Sequence, residues 1–402
     1  MNRSARPVRA GLRNLKTIPY SRLAGFYFFY FAYIGAFSPF FGLYLLSVGR
    51  SAVEIGVLMA LPAVARIVAP HLWGWLADTT GRHTPLLRAT ALAGVACFLG
   101  VFAGSDFYWL IAVLLLASFF LAAALPLLEA TTLAHLGEDT GRYGPVRVWG
   151  SLGYIVAVVA IGYALDRIAV AALPWMVVVT LAGMIAYCWQ IPEARLAPQA
   201  TDDVPFWNIL RQRGVAALIV ACALMAAAHG PYYTFYSIHL VGYGYSKALT
   251  GWLWALGVVC EIAIFLWLPR LYAAFTLRAI LITSFALAVV RFLIIGWGAE
   301  SLLLLLLAQV LHAATFGSFH AAAIGMVHRL FRGRHQARGQ AIYGSLTYGL
   351  GGTVGALASG YAWDHFGAGL TFTLAAVAAL AGMLLVAWKL PPEARGGVIP
   401  ET

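Results

Sequence analysis

Charge is what this chain has least of. Asp, Glu, Lys and Arg make up 10% of its 402 residues, with 15 acidic against 26 basic. With 62% hydrophobic residues and a mean hydropathy of +0.84, there is more apolar surface than a soluble core can hide. Only four cysteines occur, Cys97, Cys188, Cys222 and Cys260. They lack disulfide and metal spacing, so neither a disulfide framework nor a metal site is expected and they read as packing residues. There is no H-E-x-x-H, no catalytic serine motif, no nucleotide loop and no appended soluble domain. That argues against an enzyme or a sensor.

What the chain does have is a series of apolar runs of about 20 residues, the length a helix needs to cross ~30 Å of hydrocarbon. Only helices and closed barrels satisfy every backbone group in lipid, and the runs are too long and too unbroken for barrel strands. The expected fold is all-α, with twelve transmembrane helices at 22–47, 53–76, 84–104, 107–134, 146–166, 172–190, 214–241, 248–269, 276–297, 301–328, 338–363 and 369–390. The first run is too long for a signal-peptide core and is followed by no cleavage site, so it is counted as a span.

Lys and Arg fall unevenly about these spans. The N-terminal segment holds Arg3, Arg6, Arg9, Arg13, Lys16 and Arg22. The same-side loops and tail add fifteen more, among them Arg82, Arg88, Arg195, Arg211, Arg278, Arg332, Arg334 and Arg395, against only Arg50, Arg167 and Lys247 opposite. The positive-inside rule then predicts both termini in the cytoplasm of a bacterial inner membrane. It also explains the net charge of +11 as topology, with no nucleic acid partner. The bilayer and a small-molecule substrate are the expected partners, and the chain is expected to act as a monomer.

The sequence repeats itself. Ser51–Arg66 lines up with Ser246–Glu261, Gly150–Tyr154 with Gly344–Tyr348, Gly162–Asp166 with Gly360–Asp364, and Pro192–Arg195 with Pro392–Arg395, at offsets of 195, 194, 198 and 200. Four matches in one order at nearly one offset indicate duplication. The expected organisation is a six-helix half over 1–190, a cytoplasmic linker over 191–213 bearing Pro198, Asp202, Asp203 and Pro205, and a second half over 214–402. Transporters built from such repeats bind substrate near the midplane between them.

Five charges interrupt the hydrocarbon runs: Arg66, Glu129, Arg147, Glu261 and Arg291. Each costs at least ~2.5–3.5 kcal/mol near the bilayer centre, so charges there pair, face water or meet a charged ligand. The first repeat sets Arg66 and Glu261 at equivalent depth, where a structural salt bridge is the rival reading. Arg291 lies nearer the outside and could snorkel; Glu129 and Arg147, toward the cytoplasmic ends of their spans, could be solvated helix ends. Arginine keeps its proton, so three arginines against two glutamates leave one positive charge to be met by water, carbonyls or an anion. A carboxylate substrate would meet it with a bidentate contact, whereas a sugar would not.

Between spans 2 and 3 runs Gly74-Trp75-Leu76-Ala77-Asp78-Thr79-Thr80-Gly81-Arg82-His83. It resembles the cytoplasmic signature of the major facilitator superfamily. The resemblance implies that Gly74 lets helices approach, that Asp78 caps a neighbouring helix N-terminus, and that Gly81 and Arg82 help tie the loop into a gating latch. Leu125–Glu129 and Tyr143–Ser151 resemble the oligosaccharide:proton symporters, typified by lactose permease, in which the residues matching Glu129 and Arg147 contact the sugar. Glu261, Arg291 and His312 match positions of that permease's coupling and binding network. Two positions depart: Thr315 stands where it has a proton-carrying glutamate, and Gln309 where it has a lysine. Segments Ala228–Tyr233, Trp252–Glu261 and Gln309–Phe316 are closer still to the phenylpropionate permease branch, which implies uptake of an aromatic carboxylate with a proton.

These strands give one expectation: proton-coupled symport of a small organic anion, such as an aromatic carboxylate, by alternating access. No cofactor is expected, the proton being the coupling ion. Glu129, Arg147 and Arg291, with Tyr30, Tyr33, Tyr232 and Tyr236 at helical spacing, would bind substrate; Glu261, His312 and Arg66 would couple the proton. Glu261 is favoured as carrier over His312, His229 and His320, because burial and a nearby arginine act oppositely on a carboxyl, a balance that motion can shift. The alternatives are a sugar or nucleoside symporter and, lacking the G-P-x-x-G-G signature of span 5, a drug/proton antiporter.

Overall fold

A computed structural model describes residues 18–137, 139–193, 213–331 and 336–390. The basic residues Arg3 to Lys16, Arg195, Arg211, Arg332, Arg334 and Arg395, and the linker residues Pro198, Asp202, Asp203 and Pro205, lie outside the described residues. Within them the chain is helical, with no strand. Ten apolar helices follow in order: α1 Tyr20–Ser47, α2 Ala52–Thr80, α3 His83–Phe102, α4 Phe107–Leu136, α5 Tyr143–Leu165, α6 Val170–Gln190, α7 Gly214–Gly242, α8 Lys247–Ala274, α9 Leu277–Trp297 and α10 Leu302–Leu330.

An eleventh run, Arg338–Lys389, is 52 residues long. At 1.5 Å per residue it would measure ~78 Å, more than twice a bilayer's ~30 Å core. It is broken at Gly367, whose φ of 77° and ψ of 178° are open to glycine and costly for other residues. The two pieces also pack on different neighbours. Gly351 and Gly355 abut Ala223 and Ala227 of α7, while Gly369 and Gly382 abut Trp297 and Phe285 of α9. We treat them as α11 (338–366) and α12 (368–389). Apolar side chains such as Val68, Trp75, Tyr108, Val179, Leu266, Leu303 and Trp388 point outward around the bundle, as lipid-facing surface requires.

Arginines cap two helices from the neighbouring span. Arg88 of α3 donates to Cys188 O (3.4 Å), Trp189 O (3.2 Å) and Ile191 O (2.7 Å) at the end of α6. Arg278 of α9 likewise donates to Ala387 O of α12 (2.6 Å). Each cation satisfies orphan carbonyls and meets the negative end of a helix dipole.

The first six helices meet the last six along two glycine seams at the face opposite the chain termini. Where α2 crosses α11, a Cβ on Gly56 would lie 2.8 Å from Gly360 Cα. Where α5 crosses α8, a Cβ on Gly251 would lie 2.5 Å from Val158 O, and one on Gly162 2.5 Å from Lys247 O. Asp166 seals the second seam by accepting from the backbone amides of Lys247 (2.8 Å) and Ala248 (2.9 Å), with Lys247 Nζ 3.8 Å away. Trp252 Nε1 donates to Tyr163 OH beside it (3.2 Å). Deeper in, His71 Nε2 and Ser345 Oγ join α2 to α11 at 2.6 Å.

Four helices lose regularity at mid-depth. α4 turns between Leu121 and Ala124, and α7 turns at His229, just before Gly230 and Pro231. Proline supplies no backbone donor there. α10 widens into a π-helical stretch over Ala313–Ser318, and α11 does so over Gly344–Gly351. Irregular backbone is tolerated at membrane depth only inside protein or along a cavity, so these breaks mark the centre of the molecule as a place for function.

Candidate functional site

Arg291 is the anchor of that centre. It is 0% exposed, so the snorkelling expected as a rival from sequence does not occur. Its Nε donates to Ala308 O (3.0 Å), and its Nη1 faces both Thr315 Oγ1 and His229 Nε2 at 3.3 Å. His229 Nδ1 lies 2.9 Å from Met225 O. A carbonyl can only accept, so Nδ1 carries the proton and Nε2 is free to accept from the arginine. The guanidinium lies over the Tyr232 ring, 4.2 Å from its centroid. Nη2 is buried with no hydrogen-bond partner.

Around the arginine the side chains are ordered by one amide. Tyr232 OH donates to Gln309 Oε1 (2.9 Å), and Gln309 Nε2 donates to Tyr236 OH (2.6 Å). Trp254 of α8 packs on Tyr232 at 4.4 Å and is itself fixed by a bond from Nε1 to Ser237 Oγ (3.0 Å). His312 stacks on Phe316 (5.4 Å, 16°) and Phe316 on His320 (6.2 Å, 11°). This ladder runs down α10 from beside Arg291, and His312 Nδ1 is buried without a partner. At its far end His320 Nδ1 meets Tyr348 OH at 2.7 Å, with Tyr343 OH 3.3 Å from Tyr348 OH.

The first half presents its charges differently. Tyr143 OH donates to Glu129 (3.2 Å), and Arg147 sits over the Phe31 ring at 4.1 Å. Tyr30 and Tyr33 are buried in α1, their rings edge to face at 6.4 Å. Arg66 is exposed, and its charge acts on Tyr30, Tyr33 and Tyr348. Arg66 and Glu261, set at equal depth by the repeat, form no ion pair. The charge that acts on Glu261 is that of Arg147, across the interface between α5 and α8. Half-buried Glu261 also acts on Tyr154, Tyr232, Tyr233 and Tyr348, and its Cγ rests over Gly317 of the π-helical stretch.

Among the described residues four ion pairs form, Arg50–Glu54, His83–Asp78, Arg142–Asp139 and Lys247–Asp166. None involves the five intramembrane charges. The gating motif is also placed differently from the resemblance. Gly81 ends α2 with φ 65°, but a Cβ on Gly74 would meet nothing within 4 Å. Asp78, 63% exposed, contacts His83 Nε2 at 3.4 Å and takes no backbone amide among the described residues, and Arg82 is exposed.

Sequence reasoning missed Trp254, Phe316 and Tyr154 as members of this centre, and treated Gln309 and Thr315 only as departures. Trp254 and Phe316 did lie in the quoted segments, and Tyr154 and Tyr348 close the repeated Gly-Ser-Leu segments; that placement was the available signal.

Helices broken at mid-membrane around an unpaired cation suit a protein that passes a solute through the bilayer. The chain matches the MFS_1 like family over residues 20–374 and belongs to that family, within the major facilitator superfamily. It is therefore an integral membrane transporter of small molecules and not an enzyme. It is 29% identical over 356 residues to the "Probable 3-phenylpropionic acid transporter" of Escherichia coli strain K12, covering 88% of this chain and 93% of that one. To the maltose permease of Geobacillus stearothermophilus it is 29% identical over 368 residues, covering 90% and 92%. The crystal structure of the nucleoside transporter NupG, as its D323A mutant, superposes with a TM-score of 0.84 at 16% identity, covering 92% of this chain and all of that one. At that identity the likeness speaks for the fold.

Proposed function

We propose that this transporter carries a small aromatic carboxylate together with a proton, into the cell across the bacterial inner membrane. The observation that carries the reading is Arg291. A permanent cation is fully buried, held only by neutral acceptors, with one guanidinium nitrogen unsatisfied. A buried uncompensated charge costs several kcal/mol, which an arriving carboxylate would offset. Tyr232, Tyr236, Trp254, His312 and Phe316 supply ring faces beside it. The likeness to a phenylpropionic acid transporter supports the same substrate class.

Glu261 is the proposed proton carrier, and its position gives the coupling a cause. It stands on α8 while the arginine that acts on it stands on α5. Residues 1–190 and 214–402 would rock as two halves joined by 191–213, changing that separation. The balance that sets proton affinity would then differ between the two faces of the cycle. Glu129 would steady Arg147, and Arg66, Tyr30 and Tyr33 would line the opposite wall. The excess of basic residues on the side of the termini supports a cytoplasmic placement for both, and on that placement closure by the two glycine seams would correspond to the inward-facing arrangement.

The test is uptake of labelled 3-phenylpropionate into proteoliposomes with and without an inward proton gradient. Accumulation above the bath concentration only with the gradient is expected. Accumulation indifferent to the gradient would sink the symport, and uptake of maltose or a nucleoside in place of the acid would sink the anion.

A further inference from the structure

The acceptors around Arg291 have a property in common: none is charged. Ala308 offers a carbonyl, Thr315 a hydroxyl and His229 a ring nitrogen, Nε2, left free to accept by the Nδ1–H bond to Met225 O. Among the described residues no carboxylate forms an ion pair with Arg291. The acid in the same centre, Glu261, answers to Arg147. Arg291 is thus held by three bonds to neutral groups, its guanidinium lying over the Tyr232 ring and its Nη2 buried without a hydrogen-bond partner.

We infer that Thr315 and His229 are specificity-determining residues: as uncharged acceptors they hold Arg291 in place without neutralising it, and so make the site select an anion over its uncharged analogue. The inference rests on the proposed substrate class and says what sets it. A carboxylate side chain at either position would take the arginine's charge internally. An anionic ligand would then be repelled by that carboxylate, while a neutral ligand would lose little, since discrimination is a difference between two affinities. Thr315 reaches Nη1 from the π-helical stretch of α10, and His229 from the break in α7. Both irregular segments therefore serve to bring a neutral acceptor onto one guanidinium nitrogen. The hydroxyl is also tied back to His312 O (3.4 Å), which keeps it from turning away.

The experiment separates charge from size. Thr315→Asp and Thr315→Asn are nearly isosteric, and binding of 3-phenylpropionate and of 3-phenylpropionamide to each purified transporter is followed by titration calorimetry. For the acid, the Kd of the Asp variant is expected to exceed that of the Asn variant at least tenfold; for the amide the two should agree within about twofold, the charge term being absent. Should the Thr315 pair not yield monodisperse protein, His229→Asp and His229→Asn read the same ratio. Equal Kd values for the acid in the Asp and Asn members, whether binding is kept or lost, overturn the inference alone. A wild-type transporter that binds no carboxylate at all overturns the proposed function first, so the two failures are told apart.

Discussion

The two halves of this transporter share a repeat but keep their charge in opposite ways. In the first, Arg66 is exposed and Arg147 half-buried, with Glu129 as Arg147's electrostatic partner and aromatic rings beneath it. In the second, Arg291 is buried and has only neutral company. A cation that can reach water and an acid is already satisfied, and it adds field more than binding energy. A cation that can reach neither waits for its counter-ion. The difference teaches that membrane depth alone does not rank such residues; what matters is which acceptors the neighbouring helices bring.

The sharpest way to break this contrast is to exchange the arginines' fates. Arg291→Ala should abolish saturable uptake of the acid, a loss of at least about 100-fold in uptake efficiency, because a buried charged hydrogen-bonding partner is worth ~2–5 kcal/mol. Arg147→Ala should leave equilibrium binding of the acid within about tenfold, since rim charges contribute less. Equal losses for the two variants, measured as Kd by calorimetry, would erase the distinction. Next in size is Glu261→Gln. It should bring gradient-driven accumulation down to the bath concentration while exchange of internal for external acid continues, and active accumulation by this variant would remove Glu261 as carrier.

Much of this was legible before any coordinates. The spans, the break near Gly367 between the last two helices, and the repeat all follow from apolar run lengths and matching segments. The glycine seams even fall on the repeat: Gly56 and Gly251 are equivalent, as are Gly162 and Gly360. What sequence could not show was register. Whether Arg291 snorkels or is buried depends on where α10 places Ala308 and Thr315, and a π-helical stretch shifts that register by a residue. Gln309, His312 and Thr315 are spaced to share a face, yet they end on different partners: tyrosines, Phe316 and Arg291. The loop motif had recognisable residues, and among the described residues Asp78 meets the His83 side chain; which partners a latch between helices takes depends on conformation as well as sequence.

A smaller effect is expected at Gln309, whose amide holds Tyr232 under the guanidinium and Tyr236 beside it. Gln309→Leu keeps the volume and removes both bonds. Two buried hydroxyls then lack partners, at ~1–3 kcal/mol each, partly relieved as the rings turn. The KM for the acid should rise about tenfold with little change in the gradient dependence of uptake. A KM within twofold of the wild type would mean the rings are held by packing alone.

The smallest contrast lies in the seams. Asp166 and Asp364 occupy matching repeat positions, yet only Asp166 caps the helix across the seam, at the amides of Lys247 and Ala248. The start of α2 is capped from within, by Ser51 Oγ on the Glu54 amide (3.2 Å) and Glu54 Oε2 on the Ser51 amide (2.8 Å), while Asp364 is exposed. Losing a cap costs ~0.5–2 kcal/mol, and here the loss also loosens one half from the other. Asp166→Ala should therefore speed hydrogen exchange in a peptide covering 246–252 by roughly three- to thirtyfold, in line with that cost. Asp364→Ala should leave exchange over 50–56 unchanged. Because Asp166 ties the α5–α8 seam at this face with bonds that opening must break, while the α2–α11 seam meets here by packing and is bonded only deeper in, at His71 and Ser345, the first would set the barrier to opening this face. Equal exchange for the two variants would show instead that the glycine contacts alone keep it closed.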